Sequence, residues 1–336
     1  MRRDMKGWLR QQMTAEKRHA LPVLSFPSIQ LMGITVRELI SDSGLQARGM
    51  AEVAERCPAA AAVSMMDLSV EAECFGSQVR VSDNEVPTVT GAVIETLEDA
   101  QAMAVPHVGA GRTGLYVEAI SKAVELISDR PVFAGVIGPF SLAGRLMEIS
   151  NIMVNCYEEP EMVHTTMEKA SQFLLEYIRA YKAAGANGVV MAEPVTGLLS
   201  PELCGEFSSP YVKRIVEEVQ DDDFIVIYHN CGPAVHRMVP EILATGAAAY
   251  HFGNAVRMED MLAQMPPDIL TMGNVDPVSA FCSGTPEKVR EDTLAVMDAC
   301  REYPNFLISS GCDIPPISPW ENIDAFFQAV EEFYSR

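Results

Sequence analysis

Short apolar runs recur along the chain between longer segments of mixed polarity. The runs cover residues 21–26, 61–68, 132–137, 188–192, 224–228, 247–252, 269–273 and 306–310. They are rich in β-branched residues and do not alternate with polar ones. Such runs fit strands buried on both faces, as in a parallel sheet. The segments between them read as helices. Residues 35–57 carry apolar positions at helical spacing, and so do residues 161–184, which stop at Gly185, a good C-cap residue. Ser200-Pro-Glu-Leu opens another helix, with Ser as cap, Pro at the first helical position and Glu202 at the positive end of the dipole. Thr285-Pro-Glu-Lys repeats that design before 289–300, and Ser318-Pro-Trp-Glu-Asn repeats it before 323–334.

Strand and helix in alternation predict an α/β fold. Eight strands of this kind predict closure into a (β/α)8 TIM barrel, with a doubly wound open sheet as the alternative. One domain over 1–336 is expected, with residues 1–20 as an N-terminal helical extension. The stretch 73–106 breaks the rhythm. Gln78-Val-Arg-Val and Val86-Pro-Thr-Val read as a β-hairpin around Ser82-Asp-Asn84, inserted on the catalytic rim between strands two and three.

The 336 residues carry a formal charge of −21. So acidic a surface repels phosphate backbones and anionic lipid, which argues against nucleic-acid and membrane-surface roles. No apolar run reaches the roughly 20 residues of a membrane span, and the charged N-terminus lacks a signal-peptide core. A cytoplasmic protein is expected, as a monomer or homodimer. Eight cysteines are too few for a disulfide scaffold. The segment Gly109-Ala-Gly-Arg-Thr-Gly114 fits a dinucleotide pattern on paper, but no convincing strand precedes it, so it reads as a rim loop.

Three residues change the picture. His229 and Cys231 end the fifth run, and Cys312 follows the eighth. A barrel places its chemistry at the C-terminal ends of its strands, so all three fall on one rim. Alternate residues of an extended segment point the same way, which puts His229 and Cys231 on one face. About 80 residues separate Cys231 from Cys312, far beyond the knuckle spacing of a structural zinc finger. One imidazole and two thiols make a three-ligand zinc site with a position left open for substrate. The plain alternative is a chance His-x-Cys with inert strand-end cysteines.

Several segments together resemble the uroporphyrinogen decarboxylase superfamily, and within it the methylcobamide:coenzyme M methyltransferase branch. They are Ile137-Gly-Pro-Phe-Ser-Leu-Ala143, Ala192-Glu-Pro-Val-Thr-Gly-Leu-Leu-Ser-Pro201, Gly273-Asn-Val-Asp-Pro277 with Gly284-Thr-Pro-Glu287, and Gly311-Cys-Asp-Ile-Pro-Pro-Ile-Ser-Pro-Trp-Glu-Asn322. The resemblance runs from about residue 20 to the end. It implies a TIM barrel, with His229, Cys231 and Cys312 as zinc ligands. It implies a zinc-dependent methyltransferase that takes the methyl group of a methylcobamide, carried on a partner corrinoid protein, to a small thiol. There are departures. The Arg-rich N-terminal segment of the decarboxylases is missing around Trp8-Leu-Arg-Gln-Gln, and Glu193 stands where many relatives have Asp. Tyr250-His-Phe-Gly-Asn254 replaces the acidic stretch of the coenzyme M enzymes, so coenzyme M, homocysteine, another small thiol and a pterin all stay open as acceptor.

The remaining candidates follow from position. Glu193 is a candidate catalytic residue, as a weak fourth ligand or by orienting His229; backbone capping is its plainer role. Asp67 matches the decarboxylases' catalytic acid and is the second catalytic candidate. Glu71, Tyr250, His251, Asn274, Asp276 and Arg145 are candidate substrate-binding residues, and Arg112 is a candidate partner for an anionic group. Two other functions compete: a metal-free decarboxylase of tetrapyrrole carboxylates, and a corrinoid-protein binding module without turnover.

Overall fold

The computed structural model describes residues 2–336. The strands, in chain order, are β1 (Ala62–Val63), β2 (Gln78–Arg80), β3 (Thr88–Thr90), β4 (Val132–Ile137), β5 (Gly188–Ala192), β6 (Ile225–Asn230), β7 (Ala249–Phe252), β8 (Leu270–Val275) and β9 (Phe306–Ser310). Seven of them form one parallel sheet in the order β1-β4-β5-β6-β7-β8-β9. Parallel neighbours need a crossover, and each step between them carries at least one helix. β2 and β3 pair antiparallel as a separate hairpin after β1.

The first apolar run departs from the expected strand. Leu21 N donates to Ile308 O on β9 at 3.0 Å, and Ala60 N, just before β1, donates to Ala20 O at 2.8 Å. The segment therefore touches both edges of the sheet, through single bonds and not through a ladder. The cause is local: Pro22 has no N–H to give, and Val23 N goes to the Ser310 side chain at 3.0 Å. The second run is also shorter than expected. Ser64 N still donates to Phe133 O at 2.9 Å, and beyond it the chain turns away, with Met66 N taken by the Asp313 carboxylate at 2.8 Å.

The sheet is apolar on both faces, which explains the unbroken runs. One face, with Val63, Phe133, Val190, Ile225, Ile227, Ala249, Leu270, Met272 and Leu307, buries a cluster that Met5 and Trp8 complete from the helix Met5–Thr14. Trp8 packs on Phe133 with ring centroids 5.7 Å apart. The alternate residues, such as Ala134, Val226, Tyr228, Tyr250 and Ile308, pack into a second cluster with the surrounding helices. Burying one such large side chain contributes roughly 1.5–3 kcal/mol, so the two clusters fix the sheet on which the site stands.

Helix ends follow their caps. Ser200 caps the helix Pro201–Phe207 and Thr285 caps Pro286–Ala299. The helix Pro160–Ala183 ends before Gly185, at φ +100°. The expected helix over 35–57 is two helices, Val36–Ser41 and Ser43–Arg56, because extended Asp42 accepts from Leu45 N and starts a new one. Ser318 does not cap the last helix, Trp320–Ser335: Pro319 holds the cap position, and the buried Ser318 hydroxyl finds no hydrogen-bond partner among the described residues. Among the described residues, no helix is long and apolar enough to cross a membrane.

Candidate metal centre

Strand register gathers the centre. On β6 the inward positions read Ile225, Ile227, His229, so the imidazole stands directly above the apolar cluster. Cys231 follows the end of β6 and Cys312 lies two residues beyond β9. The ligand atoms of His229, Cys231 and Cys312 all lie within 4.8 Å of one another. The approach depends on Gly253, after β7. A Cβ there would stand 2.4 Å from Cys231 Cβ and 3.1 Å from Gly311 O, so any side chain would push the first thiol aside.

The polar contacts around His229 are fully buried. His229 Nδ1 stands 2.7 Å from His251 Nδ1, His251 Nε2 stands 2.7 Å from Ser309 Oγ, and Ser309 Oγ donates to Leu21 O at 2.7 Å. His229 Nε2 has no hydrogen-bond partner among the described residues. Burial, with His229 alongside, holds the His251 imidazole well below its ordinary pKa, so it is neutral. The two thiols differ. The hydrogen bond from Cys312 lowers Cys231, while that same contact and burial push Cys312 up to about 12 against the pull of the neighbouring His229. Cys231 is thus the first to ionise. A ring nitrogen facing two sulfurs is a donor set that fits zinc, with a fourth position free.

The other predicted residues separate into those near this centre and those with another task. His251 is a neighbour of His229 and not a lone substrate contact. Tyr250 points to the opposite face of β7, packs beside Tyr228 at 6.1 Å between centroids and donates to Leu243 O at 3.3 Å; the two-residue period of the strand takes it away from the site. Glu193 is saturated by the start of the helix Pro139–Met147. It accepts from Phe140 N (2.9 Å), Ser141 N (2.9 Å), Ser141 Oγ (2.6 Å) and Thr196 Oγ1 (3.2 Å). Burial pushes its carboxyl up to about 7 against the pull of those bonds. Its role here is to cap that helix, and His251, not Glu193, contacts His229.

Asp67 accepts from Arg112 Nη1 (2.5 Å), Tyr116 Oη (2.6 Å) and Ser69 Oγ (2.5 Å). Arg112 also pairs with Glu73 at 2.7 Å, so it is neutralised and not free for an incoming anion. Glu71 accepts from Ile137 N at 3.1 Å with one oxygen, and its other oxygen has no hydrogen-bond partner among the described residues. Burial pushes its carboxyl up to about 8. Asn274 donates to Gly253 O (2.9 Å) and Val256 O (2.8 Å), which fixes the loop beside Cys231. Asp276 caps the turn Pro277–Cys282 through Val278 N and Ser279 N and is not part of the centre. Arg145, half-buried, has no hydrogen bond, ion pair or ring partner among the described residues, and burial alone lowers its pKa.

Two residues near the centre escaped the sequence reading. Asp313 follows Cys312, and burial raises its carboxyl well above the ordinary range; one of its oxygens has no hydrogen-bond partner among the described residues. Its signal was adjacency to a candidate ligand. Ser309 was hidden inside an apolar run, although paired serines at the end of a buried strand put one hydroxyl on the inner face.

Comparison with known proteins bears on this geometry. Residues 18–333 match the uroporphyrinogen decarboxylase (URO-D) family. The chain is 27% identical over 272 residues to the methylcobamide:CoM methyltransferase MtbA of Methanosarcina acetivorans, covering 80% of this chain and 78% of that protein. It is 23% identical over 290 residues to the uroporphyrinogen decarboxylase of Hydrogenovibrio crunogenus, covering 83% and 80%. In fold it is similar to a methyltransferase from Methanosarcina mazei, with a TM-score of 0.85 and 22% identity over 98% of this chain and 99% of the other.

Proposed function

The chain belongs to the uroporphyrinogen decarboxylase family, and within it we propose a methyltransferase that moves a methyl group from a methylated corrinoid, carried on a partner protein, to a small thiol, with zinc on His229, Cys231 and Cys312. One observation carries the reading: His229 stands with two sulfurs in a group whose ligand atoms lie within 4.8 Å of one another, with its Nδ1 turned to His251 and its Nε2 left for that group. The likeness to proteins named methylcobamide:CoM methyltransferase supports the corrinoid as donor. Bound there, zinc supplies the Lewis acidity that keeps an acceptor thiol ionised at neutral pH.

The chain's own residues do the rest. His229, Cys231 and Cys312 would hold the zinc, and as three ligands they would leave room on it for the acceptor. The apolar layer of Ile227 and Met272 beneath the centre keeps water out from below. The transfer is a displacement. The acceptor sulfur bonds to the methyl carbon while the carbon–cobalt bond breaks, and the electron pair stays on cobalt, which leaves as Co(I). The thiol proton has gone to solvent beforehand, so no side chain takes a proton from carbon. The saturation of Glu193 and Asp67 by hydrogen bonds accords with a reaction that needs no general base.

Elemental analysis of protein purified without added metal should give about one zinc per chain. In single turnover, methylcobalamin should lose its methyl group to a thiol, followed by its visible spectrum. Coenzyme M, homocysteine and other small thiols are compared as acceptors, with a pterin alongside. A metal-free protein that decarboxylates a porphyrinogen would overturn this reading. Corrinoid-protein binding without thiol methylation would leave a binding module.

A further inference from the structure

The hydrogen bonds beneath His229 run in one direction, set at their far end. A backbone carbonyl only accepts. Ser309 Oγ therefore gives its single hydrogen to Leu21 O, at 2.7 Å. With that hydrogen committed, Ser309 Oγ accepts from His251 Nε2 at 2.7 Å. His251 carries its N–H on Nε2 and presents a lone pair at Nδ1. That lone pair faces His229 Nδ1 at 2.7 Å, so His229 donates from Nδ1. Its remaining nitrogen, Nε2, is left with its lone pair on the side of the two thiols, and no other polar group among the described residues takes it.

Resting on the metal reading above, we propose that His251 is a positioning residue: through Ser309 and the Leu21 carbonyl it locks His229 in the Nδ1–H tautomer and reserves Nε2 for the cation. Three features make the lock rigid. His229 and His251 are register partners on adjacent strands, so they stand at the same height on the same face. His229 is 2% exposed, His251 1% and Ser309 0%, so no water replaces a lost bond. The chain ends on a backbone carbonyl, which cannot reverse its direction. Acceptors on the second nitrogen of a ligating imidazole orient the ring and raise its basicity. Here the acceptor is a neutral ring, so it does this without adding charge beside two thiols.

The test compares wild type with His251→Asn, His251→Leu and Ser309→Ala. Zinc affinity is measured by competition with a chromophoric chelator, and cobalt(II) absorption reports the ligand geometry. Asn places an oxygen where His251 has Nδ1, so affinity within about threefold of wild type is expected. His251→Leu should weaken zinc by about 10–100-fold, and Ser309→Ala should shift affinity the same way. A folded His251→Leu that binds zinc as wild type does would overturn the proposal. Nitrogen NMR of 15N-histidine-labelled apoprotein decides the case if Leu does not fold. His229 should be protonated at Nδ1 and His251 at Nε2, and the reverse assignment ends the idea. A wild type that takes up no zinc would instead count against the metal reading, and the tautomer measurement would still judge the relay.

Discussion

His229 on β6 and His251 on β7 are register partners, and their Nδ1 atoms stand 2.7 Å apart. Nothing between them is adjustable, because both rings are fixed to buried strands. That pairing turns a lone histidine at a strand end into an oriented one. It also spares Glu193 the task of holding His229, and the carboxylate closes the start of a helix instead.

The ligand group makes the most direct prediction. Cys231→Ala and Cys312→Ala should each retain less than about a tenth of the wild-type zinc, because two ligands do not complete a protein zinc site. Cys282 lies in the turn Pro277–Cys282, outside the group, and Cys282→Ala should bind as wild type does. Elemental analysis of the three variants checks this. Equal metal in all three would sink the assignment.

Glu193 separates a cap from a ligand. Glu193→Ala leaves the four donors from Phe140, Ser141 and Thr196 without their acceptor. Leaving buried donors unpaired at this density should cost about 3 kcal/mol. The zinc content of the folded fraction should stay unchanged. Denaturant unfolding gives the first quantity and metal analysis the second; a stable variant that lost its zinc would make Glu193 a ligand after all.

Glu71 predicts a pH dependence. Burial raises its folded pKa to about 8, above the ordinary value of about 4.3. The folded state then holds the proton more tightly than the unfolded one. Its contribution to stability is complete below the unfolded pKa and is lost as pH rises through about 8. Glu71→Gln removes the titration. Between about pH 5 and pH 9 the stability difference should move in favour of the Gln variant by about 4 kcal/mol. Parallel unfolding curves across that window would show that Glu71 does not titrate there.

The Asp67–Arg112 pair predicts a loss on truncation. Asp67 is fully buried at its side chain and Arg112 is 13% exposed. Arg112→Ala leaves the carboxylate buried with only neutral donors, which should cost about 3 kcal/mol. Arg112→Lys should not rescue it, since one ammonium cannot reach Asp67, Glu73 and Ser69 as the fork does. Thermal unfolding of both variants decides this.

Arg145 predicts the opposite. It is a half-buried cation without a partner among the described residues, so Arg145→Met should leave stability equal or higher. If Arg145 receives an anionic acceptor, the same variant raises KM for an anionic thiol by about tenfold with kcat retained. A neutral thiol should be unaffected. Equal KM values for both thiols in the variant and wild type would remove Arg145 from the binding site.

Sequence by itself determined the alternation of strand and helix, because burial on both faces writes unbroken apolar runs at 132–137, 188–192 and 306–310. It also singled out His229, Cys231 and Cys312 as candidates, because they follow two buried runs and lie in segments that resemble a known family. Caps at Ser200 and Thr285 were legible too, since each bond spans three residues. Only the tertiary structure decided that Pro22 would break the first run into single bonds, that Tyr250 would face away while His251 faced in, and that Glu193 would serve a helix. Those outcomes depend on register and on which donors arrive from distant segments. A hydrogen bond such as the one from Ser309 to Leu21, across 288 residues, exists only once the sheet has formed.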